Sequence, residues 1–181
     1  VVQWMLNSAW PSLYWQLYDF YGIPTAAYYS VKNSNKTQQL IYDYGKNAVF
    51  AVNEGAEMYT MKAEMYLYGL DGQEQNQQSA ELKVAPYTVQ KVFDVPALYC
   101  SNAFLFLRLN SADDEILADN YYCLSSQADV CDWDNTSWVH TPVKKYADFT
   151  SLASLPQVAC DVQAIMKQEP QELVVKVALE N

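Results

Sequence analysis

Positive charge is scarce in this sequence. Its 181 residues carry 11 lysines and arginines against 21 aspartates and glutamates, a formal net charge of −10. Nothing in that balance would neutralise phosphates, which excludes nucleic acid as a partner, and an anionic membrane surface is excluded on the same ground. Long apolar runs are missing too: none approaches the ~20 residues that span a bilayer. Histidine occurs once, so any Ser-His-Asp or Cys-His arrangement would rest on His140 alone. Cysteine occurs four times, at Cys100, Cys123, Cys131 and Cys160, with no C-x-x-C pair to suggest a zinc ribbon or a dithiol redox site. Four are too sparse in this length for a disulfide framework. Cys123 and Cys131 could bridge in an oxidising compartment; the alternative is free thiols behaving as small buried hydrophobes. No metal site is expected. Asp129, Asp132, Asp134 and Asn135 invite a calcium reading, but the central glycine and distal glutamate of a calcium loop are missing. Val1-Val2-Gln3 shows neither a start methionine nor a basic leader.

Aromatic residues are what the chain has in excess: 15 tyrosines and 5 tryptophans. With 51% hydrophobic and 18% charged residues the chain is expected to fold. Aromatic loading of this kind suits β-rich domains, either as ordinary core and surface filling or as flat apolar faces for sugars.

The periodicity changes along the chain. Val1 to Asn7 reads as a short apolar strand of the type buried in a parallel sheet. After a Trp10-Pro11 loop, Leu13, Leu17 and Phe20 recur at helical spacing until Gly22-Ile23-Pro24 breaks the pattern. Thr25 to Asn33 reads as another short helix with Thr25 as its N-cap. From Gln38 the period is two. Met61, Ala63, Met65 and Leu67 share one face of a long strand, with Lys62, Glu64 and Tyr66 opposite. Further runs at 49–52, 80–85, 89–95, 104–109 and 116–123 complete about seven short strands, the signature of an immunoglobulin-like sandwich. Weak alternation in 104–109 suits a strand central to its sheet. Residues 125–139 read as a polar linker and 144–155 as irregular. Val158 to Met166 and Glu172 to Leu179 then form a hairpin.

The fold class that follows is mainly β. Residues 1–37 are a strand-helix piece of a larger β/α assembly, 38–126 an immunoglobulin-like β-sandwich, 127–156 a linker, and 157–181 the first hairpin of a second β-domain.

Two stretches carry a family resemblance. Gln3-Trp4-Met5-Leu6-Asn7-Ser8-Ala9-Trp10-Pro11-Ser12, with Trp15 to Tyr21, resembles the last barrel strand and following loop of glycoside hydrolase family 2. The nearest likeness is to its exo-β-D-glucosaminidase and β-mannosidase branch. Thr141-Pro142, Lys145-Tyr146-Ala147-Asp148-Phe149-Thr150 and Leu155-Pro156 resemble the run that joins the C-terminal β-domains of exo-glucosaminidases. The resemblance implies a retaining glycosidase on a TIM barrel, with an acid/base and a nucleophilic glutamate about 5 Å apart. Both glutamates are expected upstream of Val1, so no catalytic residue and no cofactor is assigned here. The implied partners are a carbohydrate substrate and the rest of the parent polypeptide, in a periplasmic or secreted setting. Two roles fit Trp10: core packing beside a tight Trp-Pro turn, or, by the resemblance, stacking on the sugar to be cleaved, with Asn7 as a weaker neighbour. The resemblance favours the second. Trp4, Trp15 and Tyr18 are expected to pack. A different class of reading is a non-catalytic sandwich that binds carbohydrate, which an exposed coplanar aromatic row would support.

Overall fold

Strict alternation of apolar and polar residues decides the architecture. In a computed structural model describing residues 2–12 and 15–180, seven strands form two antiparallel sheets. Strands β1 (Gln38–Asp43), β2 (Ala48–Asn53) and β5 (Thr88–Asp94) make a three-stranded sheet in the order β1-β2-β5. Strands β3 (Tyr59–Gly69), β4 (Glu74–Val84), β6 (Asn102–Ser111) and β7 (Ile116–Ser125) make the other, in the order β4-β3-β6-β7. The chain crosses from one sheet to the other after β2, β4 and β5, so that β2 pairs with β5 within the first sheet and β3 with β6 within the second.

The inner faces supply one core. Leu40, Val49, Ala51 and Phe93 come from the first sheet; Met61, Met65, Leu67, Leu105, Leu107 and Leu109 from the second. Burying each of the larger side chains contributes about 1.5–3 kcal/mol. Along β3 burial falls on Met61, Ala63, Met65 and Leu67, the face expected from alternation. The weakly alternating β6 is central, with β3 on one side and β7 on the other. The buried polar side chain at the end of β2 is satisfied. Asn53, with 0% exposure, donates its carboxamide to the carbonyls of Glu57, Val84 and Ala85 at 2.7, 3.2 and 3.2 Å. That bracket ties the end of β2 to the end of β4.

The residues before the sandwich differ from expectation. Helix α1 (Ala26–Ser34) is present, but no helix spans 15–21, and the expected first strand survives only as an isolated parallel bridge between Asn7 and Tyr18. Val1 and Leu13, on which parts of those expectations rested, lie outside the described residues. The physical reason is that the backbone donors here are spent elsewhere. Leu17 N–H and Tyr18 N–H donate to the carbonyls of Met5 and Leu6, at 3.3 and 2.9 Å. Asp19 Oδ1 accepts from the N–H groups of Tyr21 and Ile23 at 2.8 and 2.9 Å, closing a turn where a helix would need those donors. Among the described residues of this segment a complete strand-helix unit of a TIM barrel is therefore not seen.

The linker is more ordered than its composition suggests. Strands β8 (Val130–Cys131) and β9 (Val143–Lys145) pair antiparallel around a 3-10 turn at Trp133–Asn135, and a second 3-10 turn spans Thr150–Ser154. The hairpin β10 (Asp161–Gln168) and β11 (Leu173–Glu180) follows, close to the expected positions. Its register places Val162, Ala164 and Met166 on one face with Leu179, Val177 and Val175 opposite them. Both strands remain almost entirely exposed. Cys100, Cys123, Cys131 and Cys160 are free thiols.

Candidate functional site

The segment before α1 is held as a compact loop by its own hydrogen bonds. Thr25 is the N-cap residue of α1 as expected, but its hydroxyl makes no cap bond and donates to the carbonyls of Gln16 and Leu17, at 2.7 and 3.2 Å. The Thr25 N–H also donates to Leu17 O at 2.9 Å. Ser8 is buried and its hydroxyl lies 3.3 Å from that of Ser12. Tyr18 packs on Tyr28 with ring centroids 5.3 Å apart, and desolvation by burial, followed by the electrostatic influence of the Tyr28 hydroxyl, raises the Tyr18 phenol above its usual value.

On this frame Trp10 points outward, 68% exposed. An indole in that position is not a core tryptophan of this chain, so its face is free to meet another molecule or domain. Asn7 sits at the bridge to Tyr18 and donates its carboxamide to Ser8 O at 3.2 Å, a local bond that fixes the loop. Trp4 is 71% exposed and does not pack within the chain as expected, whereas Tyr18 does. Trp15 is half-exposed.

The sandwich presents a second aromatic feature, on the outer face of the four-stranded sheet. Tyr66, Phe106 and Tyr121 lie side by side on β3, β6 and β7. Ring centroids are 5.9 Å apart for Tyr66–Phe106 and 4.5 Å for Phe106–Tyr121, with planes within 22° and 18° of parallel. Tyr68 extends the row from Tyr66 at 6.2 Å, and the Arg108 guanidinium lies 4.9 Å from the Phe106 centroid. Parallel rings this close stack face against face. The closest overlap is between Phe106 and Tyr121, while Tyr121 at the end of the row remains 74% exposed. The outward i, i+2 positions Tyr66, Tyr68, Phe104 and Phe106 were visible in the sequence; their mutual stacking required the cross-strand register.

Three acidic residues of 127–156, Asp129, Asp132 and Asp148, go to separate structural tasks. Asp132 pairs with Lys144 Nζ at 2.9 Å and accepts from Asn135 Nδ2 at 2.7 Å. The Asn135 bond, then Lys144, hold its carboxyl below the usual aspartate value. Asp129 Oδ1 accepts from the Ala147 N–H at 2.7 Å. Asp148 Oδ1 accepts from both the backbone and the hydroxyl of Thr150, at 2.9 and 2.7 Å, which lowers its pKa as well. His140 sits in an exposed turn with Ser137. Among the described residues no helix is long and apolar enough to cross a membrane.

Comparison with known proteins gives a consistent set of relatives. No family model matches the chain. An exo-β-D-glucosaminidase of Arthroderma benhamiae is 37% identical over 162 residues, 86% of this chain and 18% of the relative. That of Amycolatopsis orientalis is 31% identical over 173 residues, 91% of this chain and 16% of the relative. The chain thus spans less than a fifth of the length of the relatives it matches. In structure, an inhibitor-bound exo-β-D-glucosaminidase superposes with TM-score 0.84 at 29% identity, over 100% of this chain and 22% of that one. A β-D-mannosidase from Dictyoglomus thermophilum shares the fold, with TM-score 0.57 and 20% identity over 68% of this chain and 16% of its own.

Proposed function

We infer that this chain, which belongs to the exo-β-D-glucosaminidase and β-mannosidase branch of glycoside hydrolase family 2 and resembles the C-terminal part of those enzymes, serves a retaining, exo-acting glycosidase. The bond cleaved is a terminal β-linked glycosidic bond, and the sugar released is glucosamine. The observation that supports this most is the match in fold over the whole chain to an enzyme named for that activity.

In this reading residues 1–37 are the end of the barrel and Trp10 faces the subsite of the departing sugar. Its exposed indole offers a flat apolar surface for pyranose C–H groups, and Asn7 supports the loop beside it. The acid/base and nucleophilic glutamates belong to the rest of the enzyme. Asp19, the only carboxylate in residues 1–37, spends Oδ1 on two backbone N–H groups, which fits a structural role. Residues 38–126 are an accessory sandwich, whose β2–β5 and β3–β6 pairings support an immunoglobulin-like class. Residues 127–156 connect it to a second β-domain opened by the hairpin at 157–181. A periplasmic or secreted setting belongs to the same reading.

The competing reading is a sandwich that binds carbohydrate through the aromatic row of Tyr66, Phe106 and Tyr121, whose partly stacked rings offer less free face than a flat platform would. A chimera tests the proposal. This chain replaces the corresponding segment of the Amycolatopsis enzyme, and release of p-nitrophenol from an aryl β-D-glucosaminide is followed. Turnover is expected from the chimera and none from the 181-residue chain by itself. A folded chimera without activity, or turnover by the chain alone that a carboxylate substitution within it abolishes, would refute the proposal.

A further inference from the structure

A cavity of about 620 Å³ opens where the sandwich meets residues 125–149. We propose that it is an accessory binding site for an amino sugar, separate from the barrel segment. The inference rests on the glucosaminidase reading for the identity of the sugar and on the cavity's own chemistry for the site.

The volume lies within the range of small-molecule sites. Its apolar wall is made by Tyr42, Tyr44 and Phe149, and its polar rim by Asn47, Gln127 and Asp129. Such a division suits a pyranose, which has C–H faces for aromatic rings and hydroxyls at its edge for amide and carboxylate groups. No lysine or arginine lines the cavity, so Asp129 supplies its only formal charge, a negative one. A protonated 2-amino group is the sugar substituent that complements that charge, through a charge-assisted hydrogen bond.

The walls are preorganised. Tyr42 Oη donates to Asn47 Oδ1 at 2.8 Å, and Asn47 Nδ2 donates to Val95 O at 2.9 Å. Tyr42 and Tyr44 meet edge to face with centroids 4.8 Å apart, and burial raises both phenols above their usual value. On the facing side Gln127 Nε2 donates to Tyr146 O at 2.6 Å, while Asp129 Oδ1 holds the Ala147 N–H. Fixing the walls in advance removes part of the ordering cost of binding. Asp129 is itself exposed, so its carboxylate can be reached from solvent.

The test is a titration of the 181-residue chain with the β-1,4-linked disaccharide of glucosamine, followed by amide and side-chain NMR shifts. Cellobiose, which has hydroxyls where the amines stand, is the neutral comparator. The expected result is saturable shifts at Tyr44, Gln127 and Asp129 with the amino sugar, and weaker binding of cellobiose. Asp129→Asn keeps the acceptor for Ala147 N–H but removes the charge, and should weaken amino-sugar binding by about tenfold or more. Ala97→Trp fills the mouth of the cavity from an exposed position and should abolish binding, while an unchanged thermal midpoint shows an intact fold. Absence of saturable shifts, equal response to cellobiose, or unaltered affinity in Asp129→Asn would each overturn the site. None of these results bears on the chimera experiment, which tests the barrel segment.

Discussion

Asn102 and Asp148 lie 46 positions apart in sequence, and the Asn102 carboxamide donates to the Asp148 carbonyl at 2.8 Å. Asn102 is 1% exposed, also donates to Leu124 O at 3.3 Å, and accepts from the Ser151 hydroxyl. One buried side chain therefore fastens the segment after β9 to the end of the sandwich. Asn102→Ala should destabilise the chain by about 1–3 kcal/mol, because a buried network loses its donor. A lowered urea midpoint, with earlier proteolysis between 146 and 156, is the measurement.

Leu105 and Leu67 face each other across β6 and β3, both with 0% exposure. Leu105→Ala should cost about 2–5 kcal/mol, the transfer of lost methyl groups plus the cavity left behind. Val175→Ala, on the exposed hairpin, should change the same midpoint by no more than about 0.5 kcal/mol. Equal effects would contradict the division between a packed sandwich and a solvated hairpin.

Asp132 gives the β8–β9 unit a pH dependence of known sign. Its folded pKa is lowered, by Asn135 first and Lys144 next, so the folded chain binds fewer protons there than the unfolded chain. Its contribution is present above the ordinary aspartate value near about 3.9 and is lost as pH falls through the lower folded value. Carboxyl-carbon NMR should show Asp132 titrating below that reference, and Asp132→Asn should flatten the acid limb of the stability curve.

Tyr121 is 74% exposed yet stacks on Phe106 at 4.5 Å. Tyr121→Ala should lose about 0.5–1.5 kcal/mol through the ring pair, and Tyr121→Phe should lose almost none of it. Thermal unfolding of both variants separates the ring contact from the phenol.

Trp10→Ala should leave the stability of this chain within about 0.5 kcal/mol, because a 68% exposed side chain away from the core has little packing to lose. In the active chimera the same change should lower kcat/KM. A large stability loss would return Trp10 to a packing role.

Legibility in the sequence followed the range of the forces at work. Strand β3 was readable because four alternating apolar positions, Met61, Ala63, Met65 and Leu67, have only one inner face to occupy. The hairpin was readable for the same reason. The supposed helix around Leu17 and Phe20 failed because spacing does not reveal competing acceptors: Asp19 and the carbonyls of Met5 and Leu6 claim the donors a helix would use. Strands β8 and β9 are too short to show a period, and their pairing depends on residues more than a turn of sequence away. Trp10 stood out in the sequence only through the resemblance, and the cavity beside Tyr44 and Asp129 had no local signature, since its two walls come from distant parts of the chain.

The strand pairings also set an order in time. Gln168 meets Leu173 across a short turn, whereas Val49 must find Phe93 and Met65 must find Leu107. Hairpins form in about 1–10 μs, while sandwiches with distant pairings take about milliseconds to seconds. The ribbon carrying Val162, Val177 and Leu179 thus acquires its greasy face while the sandwich strands are still searching for partners. During refolding that face is the first competitor for unpaired edges, and the yield of native chain should fall as protein concentration rises.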